Sequence, residues 1–414
     1  MNVMLITLYD MRSLQERGIY PDLMREFVAN GHFVAVVSPS ASSAQSGVTV
    51  HEEGRALIVK VPSGSIQKTG AIRKAWNTIT LDTRLKRAVA LKLSHIKFDV
   101  LLYSTPPVTL TQTIRYLRAR DGLKTYLLLK DIFPQNAVDL GMMRASGLLG
   151  LPYRYFRSTE HELYRLSDHI GCMSPANVKF LLEQNPKIAP NLVEVCPNSI
   201  EPQDLTLTAA AREYWRTKYG LPHDKPIFIY GGNIGAPHGV EFIIECLKEN
   251  EHDDQAFFVI VGAGTEYAKL QRYFELAKPR AAKLLPFLPA EDFDLLCAAC
   301  DVGLIFLHQG FTVPNFPSRL LTYMQASLPI LAATDPHTDL GEIIEGGKFG
   351  FWCESRSVSV FMQKVNLLCN AETRHRMGQS GRAYLENNYT AKHSYEIIMK
   401  HFAGGRTCSN TAPS

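Results

Sequence analysis

Short apolar segments alternate with helical patterns along almost the whole chain, and this alternation limits the possible folds more than any other feature. It is typical of parallel sheets that are covered by helices on both faces. In the first half, strands are predicted near Val3–Leu8, His32–Val37, Leu57–Val61, Val100–Ser104, Tyr126–Asp131, His169–Met173 and Val193–Cys196. In the second half, they are predicted near Ile227–Tyr230, Phe257–Val261, Leu284–Phe287, Val302–Phe306 and Ile330–Ala333. The sequence therefore predicts an α/β protein with two Rossmann-like units.

The chain length predicts two domains. Its 414 residues exceed the size of about 250–300 residues at which a single core usually stops growing. The polar stretch 201–224 lacks strand character and contains Pro202 and Pro222, which favours an interdomain linker. We therefore predict an N-terminal domain over residues 1–200 and a C-terminal domain over 225–380. A C-terminal helix over 381–403 is predicted to pack toward the N-terminal domain, and residues 404–414 to form a disordered tail.

Composition excludes several classes of protein. Hydrophobic residues make up 46% and charged residues 20%, as in folded globular proteins. The eight cysteines are scattered and give no disulfide framework, and we interpret the pair Cys297 and Cys300 as core packing. No apolar run reaches the roughly 18 residues of a spanning helix, and the first residues resemble a strand more than a signal peptide. We therefore expect a cytoplasmic protein.

Two glycine-rich turns follow predicted strands of the second half. In open parallel sheets, ligands bind beyond the carboxyl ends of the strands. Gly231–Gly235 could let the backbone approach a phosphate, although glycines also serve tight strand–helix turns. The second turn, Gly262–Glu266, begins another helix. Dinucleotide-binding turns are followed by an acidic residue about 20 positions further on, and this chain has no clear counterpart of it. The sequence therefore disfavours a nicotinamide enzyme.

The segment that begins at Pro314 contains a candidate anion site. Pro317 and Ser318 resemble a helix start, where Ser318 can cap the helix and Arg319 presents a cation. Both features suit a diphosphate. The alternative is a surface arginine on a capped helix.

Several segments together resemble one family. They are residues 130–141, 230–235, 261–267, 317–324 and 339–352. The chain resembles the retaining glycosyltransferases of family GT4, particularly a bacterial surface-polysaccharide branch similar to the L-fucosamine transferases. The resemblance implies the GT-B fold, in which two Rossmann-like domains face each other across a cleft. It also implies transfer of a sugar from a nucleotide-diphosphate donor to a polyprenyl-diphosphate-linked or saccharide acceptor, with UDP the commonest nucleotide and a 2-acetamido sugar our preferred donor.

The resemblance assigns roles on the donor side. It places the backbone of Gly232, Asn233 and Gly235 near the donor diphosphate, together with Ser318 and Arg319. It places Gly264 and Glu266 near the nucleoside. Family members generally carry two glutamates separated by seven residues, the EX7E pair. This chain has Pro314 at the first of these positions and Thr322 at the second. Many members also have Arg and Lys in the glycine-rich segment, where this chain has Asn233 and His238.

The resemblance also assigns residues of the first half. Gly18 would belong to a loop that closes over the donor phosphates. Lys130 and Asp131 would contact the reacting sugar or the acceptor, although Asp131 could instead only cap the following turn. Arg319 and helix N-termini can stabilise a departing diphosphate electrostatically, so we predict metal-independent transfer without a cofactor.

A basic segment between Ile66 and Lys97 carries eight Lys and Arg residues and one Asp. Apolar residues are interleaved with the charges, as in helices that lie on anionic membranes. The predicted membrane and acceptor residues are Arg73, Lys74, Trp76, Arg84, Lys86 and Arg87. The alternative is a solvated helix whose apolar side packs on the first sheet. We expect a peripheral protein on the inner face of the membrane, and we do not expect nucleic acid as a partner, because no nucleic-acid-reading motif accompanies the charge.

Two other functions remain open from the sequence. A non-catalytic glycosyltransferase-like subunit would explain Thr322 and Pro314. A sugar-nucleotide epimerase or a phosphorylase could share the same architecture.

Overall fold

The computed structural model describes residues 1–40, 47–62, 71–147 and 150–402, with the side chains of 71–79 left out. These residues form two compact units. The first comprises Met1–Gln135, Met143–Glu201 and the C-terminal residues from Thr390 onward. The second comprises Asn136–Met142 and Pro202–Tyr389. The predicted tail, residues 404–414, lies outside the described residues.

The first unit contains an eight-stranded sheet. Its strands are β1 (Asn2–Ile6), β2 (Phe33–Ser40), β3 (Thr49–Glu53), β4 (Ala56–Pro62), β5 (Val100–Ser104), β6 (Lys124–Leu129), β7 (His169–Cys172) and β8 (Val193–Val195). Their order is β3-β4-β2-β1-β5-β6-β7-β8, and neighbouring strands are parallel except for the antiparallel pair β3 and β4. The strand β3 was not predicted, because it lies at the edge of the sheet and most of its residues are exposed and polar.

Helices of the first part of the chain connect these strands. They are α1 (Ile19–Ala29), α2 (Ala71–Lys92), α3 (Thr111–Asp121), α4 (Gln135–Asp139), α5 (Leu151–Arg165) and α6 (Pro175–Gln184). On one face of the sheet, Leu23, Met24 and Phe27 of α1 join the buried residues of β1 and β2 in a single core cluster. Alternate residues of a strand point to opposite faces, so buried strands covered on both sides are apolar throughout.

The second unit contains a six-stranded parallel sheet. Its strands are β9 (Ile227–Asn233), β10 (Phe257–Ala263), β11 (Ala282–Leu285), β12 (Val302–Phe306), β13 (Ile330–Thr334) and β14 (Gly350–Glu354), in the order β11-β10-β9-β12-β13-β14. Its helices are α7 (Ala209–Lys218), α8 (Val240–Asp253), α9 (Tyr267–Ala277), α10 (Ala290–Ala299), α11 (Arg319–Gln325), α12 (Leu340–Gly346), α13 (Val358–Leu368) and α14 (Ala371–Asn388). The edge strand β14 was not predicted.

The predicted linker, 201–224, is structured over much of its length. It contains α7, in which Arg216 is buried, donates a hydrogen bond to the Ala299 carbonyl at 2.9 Å and forms an ion pair with Asp301 at 2.7 Å. Because these partners belong to the second sheet's helices and loops, α7 belongs to the second unit.

The predicted C-terminal helix, 381–403, is in fact parts of two helices. The helix α14 ends at Asn388, within the second unit, and α15 (Ala391–Met399) lies in the first unit. The side chain of Thr390 accepts a hydrogen bond from the His393 backbone N–H at 3.3 Å, which starts a new helix at this point. The helix α15 packs on α1, with the Phe27 and Tyr395 ring centroids 4.9 Å apart.

Candidate functional site

The loops that follow β9 and β10 pack directly against each other. The two strands pair as far as Gly232 with Gly262 and Ala263 with Asn233. A Cβ atom on Gly262 would lie 1.9 Å from the Gly232 carbonyl oxygen, and one on Gly264 would lie 2.2 Å from the Ile234 carbonyl oxygen. Both glycines also have positive φ, at 153° and 159°. Glycine at these two positions is therefore required for the close approach of the loops.

Backbone hydrogen bonds fix this pair of loops. The Ile234 N–H donates to the Ala263 carbonyl, and the Glu266 N–H donates to the Ile234 carbonyl, both at 2.9 Å. Glu266 lies at the start of α9 and forms an ion pair with Lys269. A Cβ on Gly235 would lie 3.1 Å from Nδ2 of Asn233. The structure thus brings the predicted residues of the two glycine turns together at the carboxyl ends of β9 and β10.

Gly262→Ala is expected to lower the free energy of unfolding by about 3 kcal/mol or more, because a backbone clash adds to a strained φ. Chemical denaturation of both proteins measures this difference. Gly346→Ala is the matched control, since its added Cβ meets no atom within 4 Å and the same methyl is introduced. Equal stability of the Gly262→Ala variant and the wild type would show that the loops can separate at no cost.

Arg319 lies beside the first glycine turn. Its Cζ atom is 4.3 Å from the ring centroid of Tyr230, at cation–π distance, and 3.6 Å from the Cβ position of Gly232. One guanidinium nitrogen, Nη2, lies 3.4 Å from Nε2 of His238. The other, Nη1, is buried and has no hydrogen-bond partner among the described residues. Buried donors are nearly always paired, so this unpaired N–H group marks a position for an anionic or acceptor ligand.

His238 is a site residue that the sequence analysis noted only as a departure from the family. Burial, together with the positive charge of Arg319, lowers the pKa of His238 to about 3. The ring is therefore neutral, with Nδ1 able to donate to the Phe306 carbonyl oxygen 3.2 Å away and Nε2 able to accept from Arg319. Arg319 thus supplies the positive charge of this pair by itself.

The prediction that Ser318 caps α11 is wrong. Ser318 precedes the helix, but its own backbone is already helical, with φ −63° and ψ −20°. A capping residue normally has extended backbone angles, which let its side chain reach back to the free N–H groups. The Ser318 side chain makes no such bond and is exposed. Thr322 is half-buried one turn further along α11, on the same side of the helix as Ser318.

Asp335, which follows β13, is a second residue that the sequence analysis missed. It is fully buried, and its Oδ1 accepts hydrogen bonds from the His337 and Thr338 N–H groups at 2.9 and 3.2 Å. Its Oδ2 has no hydrogen-bond partner among the described residues, and burial raises the pKa of this carboxyl group. Thr338 in turn donates to the Asn315 carbonyl at 2.8 Å, so this loop supports the segment that leads to Arg319. An aspartate directly after a buried strand was the signal in the sequence.

Lys130 and Asp131 follow β6 in the first unit. Both backbone N–H groups donate to Oγ1 of Thr105, at 3.1 and 3.2 Å. The Lys130 ammonium group donates to the Cys196 carbonyl at 3.1 Å, and burial lowers the pKa of this lysine. Both residues are partly exposed, whereas the ammonium group of Lys130 is buried. The turn is therefore held in a fixed conformation at the carboxyl end of the sheet.

Gly18 lies in the loop between β1 and α1, near the carboxyl end of a central strand. Its φ of 146° favours glycine, and its N–H donates to Oδ1 of Asp22 at 3.1 Å. The other oxygen of Asp22 accepts from the Glu201 N–H at 2.8 Å. Since β1, β5 and β6 are neighbours and parallel, Gly18 and Asp131 lie at the same edge of the first sheet.

The predicted membrane-facing segment corresponds to α2. In its described half, Leu81, Leu85 and Val89 are at most 1% exposed and pack into the unit. The prediction that these apolar residues are available to a membrane is wrong, because the helix uses them to cover the sheet. Arg84 donates to the Pro62 carbonyl at 3.4 Å, the Lys86 ammonium lies 5.8 Å from the Tyr116 ring centroid, and Arg87 is exposed. The side chains of Arg73, Lys74 and Trp76 lie outside the described residues.

Two further structural findings concern membranes and metals. Among the helices that the structure describes, none combines the length and low polarity needed to cross a bilayer. Within the same residues, no group of three His, Cys, Asp or Glu side chains is arranged to hold a metal ion.

The fold and the sequence of the second unit define a class of protein. Residues 211–384 match the sequence profile of the family described as "Glycosyl transferases group 1". With its two Rossmann-like sheets, the chain is a glycosyltransferase with the GT-B fold, and the matched part of its second unit is similar to the group 1 glycosyltransferases.

Two relatives that are named as glycosyltransferases are similar in sequence to this chain. WbjE of Pseudomonas aeruginosa, which is named as a glycosyltransferase, is 24% identical over 302 residues that cover 72% of each chain. WcaI of Escherichia coli (strain K12), whose name assigns it as a glycosyl transferase to colanic acid biosynthesis, is 25% identical over 256 residues, or 60% of each chain.

Solved structures share the fold at lower identity. Sucrose-phosphate synthase from Thermosynechococcus elongatus has a TM-score of 0.74 at 13% identity, covering 98% of this chain and 100% of that one. WaaG, a glycosyltransferase involved in lipopolysaccharide biosynthesis, has a TM-score of 0.65 at 17% identity, covering 97% and 100%. Anabaena HepE in complex with UDP-glucose has a TM-score of 0.65 at 12% identity, covering 97% and 99%. The GT-B prediction is confirmed.

Proposed function

We propose that this glycosyltransferase moves a sugar, preferably a 2-acetamido sugar, from a UDP-linked donor to a polyprenyl-diphosphate-linked saccharide in bacterial surface polysaccharide synthesis. The observation that carries the donor assignment is the unpaired, buried Nη1 of Arg319 beside the glycine turns. UDP and UDP-glucose occupy HepE, which shares the fold, and the name of WcaI refers to colanic acid biosynthesis.

The donor diphosphate would bind between Arg319 and the backbone of Gly232–Gly235. As the bond to the anomeric carbon breaks, negative charge grows on the departing diphosphate. A guanidinium group that is already in position stabilises this charge without reorganisation. The start of α8, where Gly239 has φ 59°, points free N–H groups toward the same edge of the sheet and adds a favourable dipole. Transfer by this arrangement is proposed to be metal-independent and retaining.

Asp131 is proposed to act on the sugar or the acceptor, and Lys130 is proposed to hold the turn that carries it. The two hydrogen bonds to Thr105 fix the backbone of this turn, so its side chains need little further ordering when a substrate binds. A carboxylate at this position could stabilise positive charge on the reacting sugar or orient the acceptor hydroxyl. The buried ammonium of Lys130 is anchored on Cys196 and would position the turn.

A panel of nucleotide sugars tests the function. Thermal shift and calorimetry with UDP-, GDP- and dTDP-linked sugars identify the donor, and mass analysis with lipid-linked saccharides detects transfer. We expect a UDP-sugar to bind and its sugar to appear on the acceptor. Donor binding without transfer to any acceptor would favour the non-catalytic subunit, and release of an isomeric sugar nucleotide would favour the epimerase.

A further inference from the structure

The start of α5 carries an exposed apolar surface in the first unit. Leu151 is 58% exposed and Tyr155, one helical turn later, is 48% exposed. Among the described residues, no other two strongly exposed large hydrophobic side chains lie one turn apart on a helix. We refer to Leu151, Pro152, Arg154 and Tyr155 as the α5 patch; all four are exposed. Two such side chains on one helix face form a surface that water solvates poorly.

The face of α5 opposite the patch packs into the first unit. On the opposite face of α5, Glu160, Leu163 and Tyr164 are buried, and Tyr164 donates to Glu160 at 2.6 Å. The Tyr155 ring centroid lies 5.2 Å from that of Phe156, which lies 5.1 Å from that of Phe133. Since Phe133 is two residues beyond Asp131, the patch is joined through packed rings to the turn after β6.

The charge around the α5 patch is positive. Between residues 140 and 159 the sequence has three arginines and no aspartate or glutamate. Arg157 is engaged by Glu160 and by the Gln184 carbonyl, whereas Arg154 is exposed and points its charge to solvent. A tyrosine, a leucine and an arginine on one surface match the boundary of an anionic bilayer, where aromatic rings lie at headgroup depth and cations contact phosphates.

We propose that the α5 patch docks the first unit on an anionic bilayer and brings the Asp131 turn to an acceptor anchored in that bilayer. The docking is inferred from the exposed residues of the α5 patch, and only the nature of the acceptor rests on the proposed function. The basic helix α2 would add electrostatic attraction, but Leu81, Leu85 and Val89 of its described half are already used by the core, which leaves Leu91 as its exposed leucine.

Vesicle sedimentation tests the docking. The double variant Leu151→Glu/Tyr155→Glu is expected to lower partitioning onto vesicles of phosphatidylcholine and phosphatidylglycerol by at least about tenfold, since it removes the inserted groups and adds repulsive charge. Arg154→Glu is expected to weaken binding only when phosphatidylglycerol is present. Leu276→Glu is the matched control, because Leu276 is 76% exposed on α9 of the second unit. Thermal unfolding checks that all variants fold.

A second measurement reports insertion directly. In a Tyr155→Trp variant, brominated lipids are expected to quench the added fluorescence, and in Leu276→Trp they are expected to leave it unchanged. The proposal is overturned if wild-type protein does not bind these vesicles at low salt, or if the double variant binds as wild type does. It is also overturned if reversing Arg84, Lys86 and Arg87 to Glu abolishes binding while the α5 double variant retains it, because α2 would then be the docking element.

The two proposals can fail separately. If the double variant loses vesicle binding but the wild-type protein uses no nucleotide sugar, the docking proposal is supported and the proposed reaction is contradicted. If the wild-type protein uses a donor and transfers its sugar to a soluble acceptor analogue but does not bind vesicles, only the docking proposal is contradicted.

Discussion

Arg319→Ala is expected to weaken binding of the UDP-sugar donor by about ten- to a hundred-fold, the effect of losing a charge-assisted hydrogen bond of about 1.5–3 kcal/mol. The guanidinium is the cation beside the glycine turns, its Nη1 has no partner among the described residues, and the neighbouring His238 is neutral. Isothermal calorimetry measures the change. Arg319 stacks on Tyr230 and makes one long contact with His238, so the variant is expected to keep its fold.

Two further variants sharpen this test. Arg319→Lys retains the charge but loses the planar fork, so we expect an intermediate affinity. Arg272→Ala removes an exposed arginine from α9 and is expected to bind the donor normally. If the Arg319→Ala and Arg272→Ala variants bind the donor equally well, Arg319 is a surface residue without a role in donor binding.

Asp131→Asn is expected to lower turnover by about a hundredfold or more while changing donor affinity by less than about twofold, as for a group that acts mainly in the transition state. The amide keeps the size of the side chain and removes its charge. Steady-state kinetics with a lipid-linked acceptor gives the turnover, and calorimetry gives the donor affinity.

Thr105→Val separates this role from a structural one. The hydroxyl of Thr105 accepts from both Lys130 and Asp131, so its loss is expected to cost about 1–3 kcal/mol of stability. If Asp131→Asn shows the same pattern, with stability and activity falling together, the aspartate only caps the turn.

The strands were largely predictable because apolar runs of strand length between helical patterns have few other interpretations. Every strand predicted in the two halves is present, within a few residues at each end. The edge strands β3 and β14 escaped because only part of each is buried: β3 is mostly exposed and polar, and three of the five residues of β14 are partly exposed. The division of 381–403 at Thr390 was missed because both sides of it have a helical pattern, although Thr390 caps the second helix and is a local signal for its start.

The site was predictable in its parts but not in its contacts. Glycines after strands and an arginine at a helix start are local signals, whereas the 3.4 Å approach of His238 to Arg319 joins residues 81 positions apart. The basic segment illustrates the opposite error. Its interleaved Leu81, Leu85 and Val89 have the period of an amphipathic helix, and that period is the same whether a sheet or a bilayer covers the apolar face.

The return of the chain to the first unit has a consequence for its synthesis. The buried cluster that contains the apolar residues of α1 also contains Ile398, Met399 and Phe402. The first helix to be synthesised therefore completes its packing only after the last described helix has been synthesised. The second unit, which is almost continuous in sequence, can close before the first. The first unit therefore cannot be complete before the second has been synthesised, and a fragment that stops at Glu201 would leave the ring of Phe27 without its partner Tyr395.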